Sequence, residues 1–157
     1  MRALLAALAA LALAATAHTA AWASEDKPQG WAQCRGLVAD PGIWPACAEA
    51  VSRECVEVRA DSGDTAWVAC LNARAVAWEA YLVSISNDLR ARNNPAGESA
   101  ALARWMASRA SRCQRASEIE RMTQQYGETL AAAAVFQCVL GSNIEEAMRL
   151  EDIANGG

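Results

Sequence analysis

Between Thr65 and Arg92 the residues Trp67, Leu71, Ala75, Trp78, Leu82, Ile85 and Leu89 recur at intervals of 4, 4, 3, 4, 3 and 4. An α-helix turns about 100° per residue, so these positions make one apolar stripe; strand alternation does not fit them. The spacing predicts a long helix with one buried face. Upstream, residues 46 to about 58 carry a helical pattern, with Pro45 suited to a first turn. The stretch 60–64, Ala-Asp-Ser-Gly-Asp, predicts a turn between them, with Gly63 as breaker and Ser62 or Asp64 as cap.

Residues 93–97, Asn-Asn-Pro-Ala-Gly, end the long helix, and Asn94 with Pro95 starts the next. That second helix covers about 98 to 117 and frays toward Gly127. A third begins near Glu128 and is interrupted at Gly141, after which Ser142 and Glu145 form a capping box for a short last helix. No strand stands out. The predicted fold is all-α: an antiparallel bundle of three main helices with short extra helices, stapled by disulfides.

The first 23 residues have one basic residue, an Ala/Leu run diluted by Thr and His18, and the ending Ala21-Trp22-Ala23. This predicts a secretory signal peptide cleaved after Ala23, with no membrane attachment afterwards. No cysteine follows the run at a lipobox position, so a lipid anchor is not expected. The expected location is the periplasm or outside the cell. Residues 24–45 hold three of the four prolines and three of the nine glycines, and predict an irregular N-terminal arm tied down by Cys34. Residues 46–157 then form one helical domain.

Beyond Ala23 there are thirteen basic and eighteen acidic residues, a net charge of −5. This disfavours a nucleic-acid partner and favours a cationic protein or peptide. The single histidine, His18, lies in the signal segment. Ser-His-Asp and Cys-His nucleophiles and histidine metal sites are thereby removed, and with no Gly-rich phosphate loop the chain reads as neither an enzyme nor a cofactor binder.

The six cysteines, Cys34, Cys47, Cys55, Cys70, Cys113 and Cys138, contain no C-x-x-C spacing, so no metal site is predicted. An even count in an exported chain reads as three disulfides. Fifteen pairings are open. Cys47 and Cys55 on one helix would stand about 12 Å apart along its axis and cannot bond. Cys113 and Cys138 fall on consecutive antiparallel helices and make the best pair. The preferred set is Cys34 with Cys47, Cys55 with Cys70, and Cys113 with Cys138.

Cys55 and Cys70, Glu79 and Leu82 on the long helix, Trp105-x-x-x-Arg109-x-x-x-Cys113, Gly127 and Cys138 occur in an ordered series. Over about 55 to 153 the chain resembles the LprI-like lysozyme-inhibitor family of small exported bacterial proteins. The resemblance implies a helical protein that binds and occludes lysozyme or a similar wall-cleaving hydrolase, an enzyme class commonly cationic. There are departures. The family asparagine after the leucine is Val83, and the glutamine before the tryptophan is Leu102. The usual Tyr-Arg-Asp is Ser108-Arg109-Ala110, and an arginine near the motif's end is Glu146. Cys34 and Cys47 lie outside the family core.

Arg109 shares a helix face with Leu102, Trp105, Met106 and Cys113. A guanidinium there is costly unless paired, and Glu79, at the family's acidic position, is the predicted partner in a structural ion pair. Trp67, Trp78 and Trp105 stand at core spacings, while Trp31 and Trp44 are read as pinning the arm. Arg104, Arg112 and Arg115 form a solvated stripe; Glu145, Glu146, Glu151 and Asp152 are read as a solvated terminal face. The candidate partner-contact loop is Asp61, Ser62, Gly63 and Asp64, with the 93–97 turn as the other choice. The competing function is a structural or accessory envelope protein that binds another periplasmic partner without inhibiting it.

Overall fold

The computed structural model describes residues 27–37, 44–124 and 128–156. In chain order these form α1 (Trp31–Leu37), α2 (Trp44–Ala91), a 3-10 turn (Pro95–Gly97), α3 (Ser99–Gln124) and α4 (Glu128–Ala154). The described residues contain no strand. The fold is all-α with three disulfides.

α2 is two helices joined at a single residue. Gly63 alone is non-helical, with φ 84° and ψ 179°. Fifteen residues of unbroken helix would separate Cys55 from Cys70 by about 22 Å. Their Cα atoms are 5.6 Å apart. The span therefore folds back on itself, and its arms, 44–62 and 64–91, lie antiparallel. Ion pairs between Glu54 and Arg74 and between Arg59 and Asp64 bracket the same pivot. The five-residue turn read from the sequence contracts to Gly63 because a positive φ is cheap only for glycine.

The C-terminal end of α2 closes with Asn93 at φ 55°, Asn93 N–H on Arg90 C=O and Asn94 N–H on Leu89 C=O, both at 2.9 Å. This is a Schellman ending with asparagine in the left-handed position. The Asn94 side chain then accepts from Ala96 N–H at 3.0 Å and starts the 3-10 turn. Gly97 lies against the α2 backbone: a Cβ there would stand 2.2 Å from Arg90 N and 2.6 Å from Ser86 O. Only glycine lets the chain turn this close.

α3 runs back along α2, and α4 reverses again, so α4 runs parallel to the 64–91 arm. Asn143 bonds to Ala75 C=O, and the Arg92 guanidinium bonds to Ala154 C=O. The core between them includes Leu71, Trp78, Leu82, Leu89, Leu140, Ile144 and Met148, each at most 1% exposed. Val51 and the Cys34, Cys47 and Cys55 sulfurs extend this core under the N-terminal segment.

The sequence reading is corrected at several places. α4 passes unbroken through Gly141, so Ser142 and Glu145 cap nothing. Gly141 sits where the 44–62 arm crosses α4, and a Cβ there would lie 3.6 Å from Ala48 Cβ. Packing, not helix termination, uses the small residue. α3 continues to Gln124, seven residues beyond the predicted limit, because no breaker precedes Gly127. The arm read as irregular contains α1, and Cys34 fastens it to Cys47 with Cα atoms 4.9 Å apart. Among the described residues the three long helices α2, α3 and α4, with the short α1 and the 3-10 turn, make the disulfide-stapled bundle that the sequence predicts, α2 being bent back on itself at Gly63.

Candidate functional site

Arg109 stands on the inner face of α3, its side chain 11% exposed. Its Nη1 donates to Glu79 Oε2 at 2.7 Å and to Asn143 Oδ1. Its guanidinium carbon lies 5.3 Å from the centroid of the Trp105 ring. Asn143, fully buried, donates in turn to Ala75 C=O at 2.9 Å. One guanidinium thus joins the 64–91 arm, α3 and α4. The Cys113–Cys138 disulfide, Cα atoms 5.4 Å apart, ties α3 to α4 one turn further along α3. The Trp105, Arg109, Cys113 face is a structural clamp, with Trp105 only partly buried rather than in the core. Gly127, the predicted signal segment and the side chain of Trp44 lie outside the described residues.

A second polar cluster fixes the N-terminal segment. Glu151, 8% exposed, accepts from Lys27 Nζ and Trp31 Nε1, both at 2.9 Å. Lys27 Nζ also donates to the Tyr81 hydroxyl and lies 4.2 Å and 4.6 Å from the centroids of the Trp31 and Tyr81 rings. Arg35 pairs with Asp152 at 2.6 Å. Burial, then the Glu151 negative charge, pushes the Tyr81 phenol well above its usual range. The reading of Glu145, Glu146, Glu151 and Asp152 as a solvated face holds for the exposed Glu145 and the 43%-exposed Asp152 side chain and is corrected for Glu146 and Glu151. Cations from the arm and from Arg149 reach them, and Glu151 is buried under α1. Trp31 pins the arm.

The sequence reading missed Asn143, Lys27 and Tyr81. Asn143 follows directly on Gly141-Ser142, which drew attention to capping. Its signal was its place on the stripe shared with Leu140, Ile144 and Ala147, all buried. Lys27 sits four residues before Trp31, in a segment with no periodicity to fix it.

The predicted contact loop is the exposed tip of the α2 hairpin. Asp61, Ser62, Gly63 and Asp64 are all exposed, and no atom lies within 4 Å of a Cβ built on Gly63. The tip is braced from behind. Arg59 Nε donates to Asp64 Oδ1 at 2.6 Å while its guanidinium stacks 4.3 Å from the Trp67 ring centroid. The Cys55–Cys70 bridge closes the hairpin below. The basic stripe is solvated: Arg104 is exposed, and Arg112 and Arg115 hydrogen-bond back to Ser108 and Ser111.

The described residues contain no free cysteine and no group of three or more His, Cys, Asp or Glu placed to hold a metal ion. The arrangement defines a disulfide-stapled helical bundle that presents an exposed hairpin tip carrying Asp61 and Asp64. No family model, curated protein or solved structure matches the chain.

Proposed function

We propose that this is an exported binding protein that occludes a cationic, lysozyme-like wall-cleaving hydrolase with its α2 hairpin tip. The observation that carries the reading is the construction of that tip. Four consecutive exposed residues, two of them carboxylates, are stapled by Cys55–Cys70 and braced by Arg59 on Trp67. A probe already rigid loses little conformational entropy on entering a cleft. Its carboxylates and the chain's acidic balance steer it toward a basic partner. Three disulfides fit an oxidising compartment, where such hydrolases act.

The test is lysis of bacterial cell walls by purified lysozymes of several types with stoichiometric protein. Inhibition that falls at least tenfold in Asp61→Lys/Asp64→Lys supports the reading. Absence of inhibition against every type defeats it.

One observation favours the second reading, an accessory envelope protein that binds a different partner. The outward face of the 64–91 arm carries Ala69, Ala73, Val76, Ala77 and Ala80, all exposed, with Val76 at 60%. An uncharged helix face of this length suits a flat, apolar contact with another protein. On this reading charged substitutions at Val76 and Ala80 abolish capture of a partner from envelope extract, and the unaltered protein inhibits no lysozyme.

A further inference from the structure

Away from the tip, α3, α4 and the 3-10 turn line a half-open cavity of about 350 Å³. Its walls include Ala101, Leu102 and Trp105 from α3 and Glu146, Arg149 and Leu150 from α4. The size is at the lower end of small-molecule sites, enough for one ring and its substituents. The lining is mixed in a specific way. An indole and two leucines give an apolar wall, and Ala101 leaves space beside them. Glu146 and Arg149 add a polar pair from α4, the helix that also supplies Leu150.

That pair decides the ligand class. Arg149 donates through Nε to Glu146 Oε2 at 2.8 Å and through Nη2 to Glu146 Oε1 at 2.6 Å, so each charge is already answered by the other. The pair carries no net charge, so it offers an anion or a cation little attraction beyond that of single hydrogen bonds. A purely apolar ligand would cover the pair and leave its remaining donor and lone pairs unmet. A neutral ligand with one apolar face and a rim of hydroxyls meets every condition. Its C–H face lies on the indole; its hydroxyls accept from the free Nη1 edge of Arg149 and donate to the outer lone pairs of Glu146. Arg149 is exposed over about half its side chain, at 53%, and Glu146 only over 13%, so the guanidinium forms the mouth.

We propose that this cavity is a subsite for a neutral pyranose ring. It stands apart from the inhibitor reading, because no residue of the α2 tip takes part and no hydrolase is required.

The experiment is an NMR titration of the full disulfide-bonded protein, following backbone amides and the Trp105 indole N–H. The probes are N-acetylglucosamine, chitotriose, cellotriose and glucuronate. Saturable shifts centred on Trp105 and Leu150 are expected with the neutral sugars, with dissociation constants of about millimolar order for so small a site. A trimer that binds at least tenfold tighter than the monomer assigns the subsite to a glycan chain, and equal binding assigns it to free sugar. Ala101→Leu fills the cavity from a helix surface and weakens binding at least tenfold without changing the remaining spectrum. Arg149→Met keeps the aliphatic stem, removes the donors and weakens binding several-fold. The proposal is overturned by any of three results: no saturable shift with any neutral sugar, unchanged binding in Ala101→Leu, or tighter binding of glucuronate than of the neutral probes.

Discussion

Arg109 on α3 and Asn143 on α4 complete one another inside the bundle. The guanidinium donates to the asparagine oxygen, and the asparagine nitrogen donates to Ala75 C=O on α2. Neither side chain is affordable alone, since an isolated guanidinium or a half-satisfied amide in a core is a net cost. Asn143→Ala is therefore expected to lose about 2–3 kcal/mol, and Arg109→Ala a similar amount. Because the two share a bond, the double variant loses clearly less than the sum. Glu79→Gln costs about 1 kcal/mol or less, because the Glu79 side chain is 40% exposed and water screens its pair. Urea unfolding of the four variants measures all of this; strict additivity of the first two would contradict the network.

The disulfides differ in what they hold. Peptide mapping of unreduced protein is expected to return the linkages Cys34–Cys47, Cys55–Cys70 and Cys113–Cys138. Replacing both cysteines of either of the last two bridges by alanine costs about 3 kcal/mol by loop entropy. Hydrogen exchange separates them. Loss of Cys55–Cys70 raises exchange within 56–69, and loss of Cys113–Cys138 raises it along α3 and α4.

Two glycines make opposite predictions. Gly63→Ala meets open space but must keep φ 84° with ψ 179°, a conformation open almost only to glycine, so it costs about 1–3 kcal/mol of backbone strain and no steric clash. Gly97→Ala drives a Cβ into the α2 backbone and is expected to cost about 3 kcal/mol or more. Thermal unfolding of the pair decides, and equal losses would argue against the close approach at Gly97.

The N-terminal segment makes stability depend on alkaline pH. Burial, reinforced by the Glu151 charge, holds the Tyr81 phenol protonated in the folded state above its ordinary value. The folded protein then retains a proton that the unfolded chain releases above about pH 10. This contribution is complete below about pH 10 and is lost as pH rises through the folded value. Tyr81→Phe is expected to flatten that part of the decline in unfolding free energy between about pH 10 and 12. A Tyr81→Phe curve parallel to the wild type would contradict the coupling.

Glu151→Gln removes the charge that receives Lys27 and Trp31, at an expected cost of about 1–2 kcal/mol. Its signature is local. Amide exchange rises across residues 27–37, while Cys34–Cys47 keeps the segment attached. Unchanged exchange there would show that the disulfide alone pins α1.

Much of this architecture is legible from local pattern. The 4, 4, 3, 4, 3, 4 stripe needed only helix geometry to define the 64–91 arm. Asn94-Pro95 announced the start after it, and Gly63 the reversal before it. That Arg109 needs a partner follows from the cost of placing a guanidinium on an apolar face. These are properties of one or two turns of chain, and the chain states them residue by residue.

What only the tertiary structure decided is where partners come from across large sequence separations. A glycine at 141 reads locally as a helix end, yet it is where one helix lets another approach. Carboxylates at 146, 151 and 152 read as solvated charge. Lys27, Trp31 and Arg35, more than a hundred residues earlier, reach the last two, and one of these is buried. Asn143 acquires its role from Arg109 and Ala75 together. The sequence by itself determined the long apolar stripe, the turn at Gly63, the break at 93–97 and the cost of a misplaced charge, because those depend on neighbours in the chain. Packing determined which misplaced groups meet, because burial removes water as the alternative partner and leaves only what the fold brings within reach.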